Sequence, residues 1–266
     1  MASYRKECSI LKINNTKHKN LIRISLYGIS ILIWIAIWHF YALHIDKEVF
    51  LPTPKKVFTV LIHDLLPSEA FRLSVITSLE NIGYGFLIGL ILGLFLAVLS
   101  SISIFIEAFI WFPIKIIKAV PVASFVILSL LWINSKDLAV FIPAIIVLPT
   151  IYINTLTGIK ETSSKLLDMA KIFRIPPLKR VFSIYVPNTL PYFLSACSLA
   201  VGMAWKSGVA AEIIGLAKNT IGNEIYKAKL YFMTAELFAW TIVIIFLSIM
   251  CEQFIKLVIK LLNKKL

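Results

Sequence analysis

Several long apolar stretches follow one another along this chain, and they constrain its fold more than any other feature. A helix needs about 20 largely apolar residues to cross a hydrocarbon layer about 30 Å thick. The composition agrees, because 59% of the residues are apolar and 15% are charged, unlike a usual soluble domain. The sequence therefore predicts an all-α, polytopic membrane protein with about six transmembrane helices. We place the spans at residues 21–45, 73–99, 104–133, 138–157, 187–205 and 235–259.

The segments outside these spans divide the rest of the chain. Residues 1–20 are expected to form a basic tail, residues 46–72 a loop with an amphipathic segment, and residues 261–266 a short tail. The core is expected at residues 73–260, and its long third span contains Pro113 and Pro121, which predict breaks. The first span lacks a small-residue cleavage site and is too long for a signal-peptide core, so we expect it to be retained.

The net charge of +13 is explained by membrane topology. The Lys and Arg residues lie beside and between apolar spans, not along a soluble face of the kind that binds nucleic acid. Placing both termini in the cytoplasm puts the basic tail and the most basic loop inside, as the positive-inside rule requires. We therefore expect both termini on the cytoplasmic side.

A helical pattern that is too short to span a membrane occupies residues 161–174. Its apolar residues are spaced to share one stripe: Leu166, Met169, Ala170 and Phe173. The charged residues lie away from that stripe: Lys165, Asp168 and Lys171. Ser163 or Ser164 is expected to cap the start of the helix, and Pro176 to end it. By pattern alone, such a helix either lies in the membrane interface or binds a partner.

The order of residues here resembles the loop that identifies permease subunits of bacterial ABC importers. In that loop, Glu-Ala-Ala is followed by Gly four residues later and by Ile-x-Leu-Pro ten residues after the Gly. The corresponding residues of this chain are Asp168, Met169, Ala170, Arg174, Ile184, Val186 and Pro187. The arginine stands where the family has its permissive turn residue. We therefore expect Pro176 and Pro177 to supply the bend instead.

The resemblance extends over residues 51–260, to the permeases of the nitrate, aliphatic sulfonate and taurine group. The residues that carry it are Leu51 to Pro54, Ser78-Leu79, Gly85-Phe86, Lys118 to Pro121, Trp205 to Gly215, and Gly222. Asn81 departs from the group, many of whose members carry a basic residue there. The identity of the solute is therefore not carried over from the group. The resemblance implies only that it is small and anionic or polar.

The resemblance also implies a type I ABC importer permease fold in the bacterial plasma membrane. It implies a homodimer that works with a cytoplasmic ABC ATPase subunit, which binds the ATP and magnesium, and with an extracytoplasmic solute-binding protein. The permease itself would hold no cofactor. Coupling to the ATPase would fall to residues of the cytoplasmic loop, namely Leu166, Asp168, Met169, Ala170, Phe173, Arg174 and Pro187.

Charged residues within or beside the spans are candidates for the solute pathway. Lys115 and Lys118 lie near the middle of the third span, where an ionised side chain is costly unless it faces water, a partner or solute. Alternatively, each reaches an interface or pairs with an acid such as Glu107. Glu212 is expected in a segment after the fifth span that either dips back toward the pathway or forms an exposed loop.

Three glycines recur every four residues in the second span, at Gly85, Gly89 and Gly93. This spacing puts three missing side chains on one stripe, so another helix can approach closely. Close helix packing is the preferred interpretation, and a direct role in binding the solute is the alternative.

No motif for catalysis is evident in the sequence. It contains no Gly-x-x-x-x-Gly-Lys-[Ser/Thr] phosphate loop, so hydrolysis of ATP is assigned to a partner. The histidines and the three cysteines show no metal-ligand spacing, so we predict no metal site. Two other classes remain open on sequence grounds: a secondary carrier or channel without an ATPase, and a membrane scaffold.

Overall fold

The computed structural model describes residues 25–263, and all regular secondary structure in that range is helical. The basic tail expected at residues 1–20 lies outside the described residues. The helices are α1 (Ser25–Ile45), α2 (Pro54–Thr59), α3 (Glu69–Ile102), α4 (Ile104–Ala119), α5 (Val122–Ser129), α6 (Ser135–Lys160), α7 (Ser164–Ile172), α8 (Pro177–Arg180), α9 (Val186–Gly215), α10 (Ile221–Leu230) and α11 (Thr234–Asn263). Short π-helical turns at Val60–Leu65 and Val181–Tyr185 continue α2 and join α8 to α9.

Five of the described helical segments are long and apolar enough to cross a membrane: α1, α3, α6, the continuous segment Pro177–Gly215 that contains α8 and α9, and α11. The pair formed by α4 and α5 passes the same criterion as one bent segment, which gives a sixth. The expected all-α membrane fold with about six spans is therefore confirmed.

The third span is bent once, not twice. The two helices α4 and α5 meet at an angle of 105° beside Pro121, and Val120 before it is extended, with φ −76° and ψ 130°. Pro113, in contrast, lies inside α4. The prediction of a break at Pro113 is wrong, because Ile110 and Ile114 on either side of it are both buried and hold the helix in one piece.

The glycines of the second span lie on the face of α3 that packs against α6. A Cβ atom added to Gly85, Gly89 or Gly93 would come within 2.4, 2.5 and 2.8 Å of a backbone oxygen of α6. Only glycine permits this approach, so the close-packing interpretation is confirmed. The helices α3, α6 and α9 thereby form the centre of the bundle.

The first helix is attached to this bundle near its end. The ring of Trp38 stacks on Phe238 of α11 with 5.6 Å between the centroids, and its indole nitrogen donates to the carbonyl of Pro52 at 3.1 Å. The turn of helix after Pro54 buries Val57 completely. Most of α1 is otherwise exposed within the single chain.

Candidate functional site

The helix of the cytoplasmic loop is shorter than expected, since α7 covers Ser164–Ile172 and not the whole of residues 161–174. Ser163 occupies the N-cap position, but its side chain makes no capping hydrogen bond. Its carbonyl instead accepts from the backbone nitrogens of Leu166 and Leu167, at 3.1 and 3.3 Å. The helix therefore begins at the serine pair and not at residue 161, and the predicted side-chain cap at Ser163 is absent.

The apolar stripe of α7 is only partly used by its own chain. Ala170 is fully buried, whereas the side chains of Leu166, Met169 and Phe173 are 37, 43 and 72% exposed. On the polar side, Asp168 pairs with Lys171 at 3.1 Å across one turn. The stripe thus presents three apolar side chains outward, on a short helix held in place by a buried alanine.

The helix ends at a left-handed residue, and that residue is Arg174, with φ 50°. The backbone nitrogen of Ile175 donates to the carbonyl of Ala170 at 2.9 Å, and that of Arg174 donates to Lys171 at 3.0 Å. This pair of bonds is the Schellman motif, which usually has glycine at the left-handed position. The prediction that Pro176 and Pro177 replace the family's glycine is therefore wrong, because the arginine itself adopts the glycine conformation.

The end of α6 that leads into α7 is tied to the start of α4. The ammonium of Lys160 lies 2.5 Å from the carboxylate of Glu107. This ion pair joins the two helices at the level where the chain enters the loop. It also removes Glu107 as a partner for the lysines further along α4.

Those lysines, Lys115 and Lys118, are exposed on the last two turns of α4. The ammonium of Lys115 lies 5.7 Å from the ring centroid of Trp111, a cation–π distance. Neither lysine forms an ion pair with any residue between 25 and 263. The alternative in which Glu107 neutralises them is wrong, because Glu107 is bound to Lys160.

Glu212 lies in the last turn of α9, not in a loop, so its expected position was wrong. The side chain is fully buried, which excludes an exposed loop and removes it from any open surface of the single chain. One carboxylate oxygen accepts from the hydroxyl of Ser78 at 2.9 Å and from the backbone nitrogen of Gly222 at 3.0 Å. The Ser78 hydroxyl in turn accepts from the nitrogen of Ile221 at 2.9 Å.

This cluster contains residues of α3, α9 and α10 and lies at the N-terminal end of α10. A carboxylate near a helix N-terminus is favoured by the unpaired backbone N–H groups there. A Cβ atom on Gly222 would lie 2.3 Å from the Cβ of Glu212, so the contact requires glycine. Sequence reasoning did not find this role for Ser78, although all three residues lie in the motifs that carry the family resemblance.

An apolar cavity of about 400 Å³ lies between α3, α9 and α11. Its walls include Leu79, Phe86, Trp205, Met250 and Phe254. Such largely apolar walls disfavour a charged solute. No three His, Cys, Asp or Glu side chains in the described part of the chain are grouped to hold a metal ion.

Comparison with known proteins agrees with this architecture. The family model described as "Binding-protein-dependent transport system inner membrane component" matches residues 85–266, which is more than half of the chain. A protein of Bacillus subtilis named as an aliphatic sulfonates transport permease is 27% identical over 225 residues, covering 84% of this chain and 81% of the relative. A bicarbonate transport system permease of Synechococcus elongatus is 23% identical, covering 75% of both chains.

A nitrate permease and a solved transporter structure are also similar to this chain. A nitrate import permease of Synechococcus elongatus is 27% identical over 162 residues, which are 60% of this chain and 58% of that protein. A solved structure, described as the crystal structure of an amino acid ABC transporter with histidines, superposes with a TM-score of 0.59 at 17% identity. It covers 74% of this chain and 94% of that chain, and it shows a shared fold.

Proposed function

The chain belongs to the family of inner membrane components of binding-protein-dependent transport systems, and we propose that it conducts a small anion through a pathway formed by two copies. It is a membrane-embedded permease subunit of an ABC importer and not itself an enzyme. Such an importer works with a separate ATPase and with a solute-binding protein. The observation that carries the finer proposal is the pair of unneutralised lysines on α4.

The site for the ATPase is proposed on α7. Three apolar side chains that a soluble loop would normally bury, Leu166, Met169 and Phe173, are exposed there. An exposed amphipathic helix seated in a groove of its partner is a common mode of recognition. The ATPase, holding the ATP and magnesium, would lie on the cytoplasmic side together with both termini of this chain.

The position of α7 between α6 and α9 supports the proposed coupling. The helix connects directly to α6 through residues 161–163 and to α9 through Arg174 and α8. Because α6 and α9 pack along their length at the centre of the bundle, a displacement of α7 moves both. ATP binding would favour the state in which two ATPases, and hence two α7 helices, approach each other. Transport then depends on differential stabilisation of two states.

The proposed solute is a small anion. The similar permeases are named for sulfonates, nitrate and bicarbonate, and all three are oxyanions. Lys115 and Lys118 lie 11 and 14 residues beyond the start of α4, roughly 17 and 21 Å along a helix. Unpaired lysines at that depth require water, solute or a partner chain. A positive surface in the pathway would attract anions and repel cations.

Reconstitution tests the proposal. The chain would be placed in liposomes with its ATPase and binding protein, and accumulation of nitrate, bicarbonate and ethanesulfonate would be followed with and without ATP. We expect one of these anions to accumulate only with ATP. Replacing both Lys115 and Lys118 with Gln should lower that uptake, whereas the same change at the exposed Lys136 and Lys218 should not. Uptake that is independent of ATP would reject the mechanism.

A further inference from the structure

The helices α6 and α9 run antiparallel in a register that their contacts define. Near the inner end, a Cβ atom on Gly158 would meet the ring of Tyr192 at 3.0 Å. In the middle, the hydroxyl of Thr150 lies 3.5 Å from the sulfur of Met203. Because the two helices are antiparallel, a residue three positions after Met203 in α9 lies about level with a residue three or four positions before Thr150 in α6.

In this register, Lys206 lies near the level of Ile146. That level is about 11 residues from the start of α6 at Ser135, or roughly 17 Å, and a similar distance from its other end at Lys160. The lysine is therefore close to the middle of the span. Its side chain is exposed on the single chain.

No residue in the described range neutralises Lys206, which forms no ion pair or hydrogen bond there. Two of the acids in the spans are already engaged: Glu107 by Lys160, and Glu212 by Ser78 and Gly222. An unpaired ammonium at this depth is costly unless it faces a water-filled cavity or binds an anion. The surface around it therefore carries a positive charge.

Polar side chains lie along the face of α6 that carries Ile146 and Thr150. Thr150, Asn154 and Thr157 are spaced at i, i+4 and i+7, so they share one stripe. The amide nitrogen of Asn154 donates to the carbonyl of Thr150 at 2.8 Å, and the Thr157 hydroxyl donates to Ile153 at 2.8 Å. These bonds stay within the helix and leave a second amide hydrogen of Asn154 available. Within this stripe, Thr150 contacts Met203 of α9, whereas the side chains of Asn154 and Thr157 remain partly or fully exposed.

We propose that Lys206, Thr150 and Asn154 form a binding site for a small oxyanion at mid-depth on the joint face of α6 and α9. The ammonium supplies the charge, and the free amide hydrogen of Asn154 donates to another oxygen. The Thr150 hydroxyl, which donates to the sulfur of Met203 in the single chain, would donate to the anion instead. This inference rests on the proposed anion transport. It adds a binding site for the anion within each subunit, separate from the lysines of α4. The same chemistry suits a solute oxyanion and a lipid phosphate, which the test separates.

Charge-selective labelling tests the site without requiring transport. The native cysteines Cys8, Cys197 and Cys251 would first be replaced by serine or alanine. Asn154→Cys would then be introduced, and the full chain with its ATPase placed in nanodiscs, open to reagent from both sides. Sulfonatoethyl methanethiosulfonate is a sulfonate anion, and trimethylammonioethyl methanethiosulfonate is a cation of similar size. We expect the anionic reagent to react faster.

Adding Lys206→Gln should reduce the ratio of the anionic to the cationic rate by roughly tenfold, the lower end of electrostatic focusing in a cleft. The matched change Lys218→Gln, on the turn after α9, should leave it unchanged. Nanodiscs with phosphatidylglycerol in place of phosphatidylcholine separate the two sources. Slower labelling by both reagents in the anionic lipid would assign the site to lipid phosphate and overturn a solute site, because the surface charge alone slows only the anionic reagent.

Three results would overturn the proposal outright: equal rates for the two reagents, a ratio unaffected by Lys206→Gln, or no labelling by either reagent. The labelling depends neither on ATP nor on the binding protein. If the labelling is selective for the anionic reagent but no anion is taken up, the result would therefore count against the proposed importer function and not against the site.

Discussion

At the scale of single residues, Arg174 is held in a conformation that its side chain disfavours. A non-glycine residue in the left-handed region costs about 1 kcal/mol relative to glycine. Arg174→Gly should therefore stabilise the end of α7 by about that amount. The melting temperature of the purified complex should rise slightly.

A control substitution within the same loop should change the melting temperature in the opposite direction. Lys171→Gly lies inside the right-handed helix, where glycine costs about 1 kcal/mol, so this change should lower the melting temperature. If Arg174→Gly lowered it as well, the left-handed turn would be wrong. Because both sites are exposed, the comparison does not depend on core packing.

Glu212 is the second residue with a defined structural role. Glu212→Ala would leave the hydroxyl of Ser78 and the nitrogen of Gly222 without their acceptor in a buried place, at a cost of about 3 kcal/mol. Glu212→Gln keeps an acceptor oxygen and should cost much less. Thermal unfolding of the two variants measures the difference, and equal stability of alanine and glutamine would show that the carboxylate does not hold α10.

Neither role was visible in the sequence, for reasons that differ. The left-handed turn at Arg174 is not predictable, because proline and glycine are the usual signals for a bend and the backbone hydrogen bonds to Ala170 and Lys171 are set by the surrounding fold. The contact of Ser78 with Glu212 joins residues 134 positions apart. A single sequence carries no local signal for such a pairing.

At the scale of elements, the packing of α3 on α6 can be tested with two glycines of one helix. Gly89→Ala brings a methyl group within 2.5 Å of the carbonyl oxygen of Ala144, so it should destabilise by about 2 kcal/mol. Gly83→Ala meets nothing within 4 Å and should be neutral or stabilise by up to about 1 kcal/mol, as alanine does in helices. Unfolding that is insensitive to Gly89→Ala would contradict the close contact.

The elements themselves were largely predictable. Long apolar stretches predicted where α3, α6, α9 and α11 lie, because a helix needs about 20 apolar residues to cross the bilayer. Their full lengths were not predicted, since α9 continues to Gly215, past the expected end of its span at residue 205. The glycine spacing likewise predicted a helix interface. The course of the third span was less predictable, since Pro113 and Pro121 look alike in sequence. Burial of Ile110 and Ile114 keeps the first within a helix, and that packing is a tertiary property.

At the scale of the whole molecule, α7 and α10 lie at opposite ends of α9, so they should face opposite sides of the membrane. In cells whose protein has no other cysteine, Ser164→Cys should react with an impermeant maleimide only after the membrane is broken. Lys229→Cys should react in intact cells, because Lys229 is exposed on α10. Labelling of both from one side would exclude the proposed orientation.

The proposed coupling of this permease to an ATPase through the exposed stripe of α7 can be measured as the recovery of the ATPase with the tagged chain. Phe173→Asp places a charge on the most exposed member of the stripe. It should reduce the recovered ATPase by roughly tenfold, as expected for loss of an interface anchor worth at least about 1.4 kcal/mol. Tyr231, just beyond α10, is a comparably exposed aromatic residue, and Tyr231→Asp should leave recovery unchanged. Equal recovery of the ATPase with Phe173→Asp and with the unmodified chain would contradict the claim.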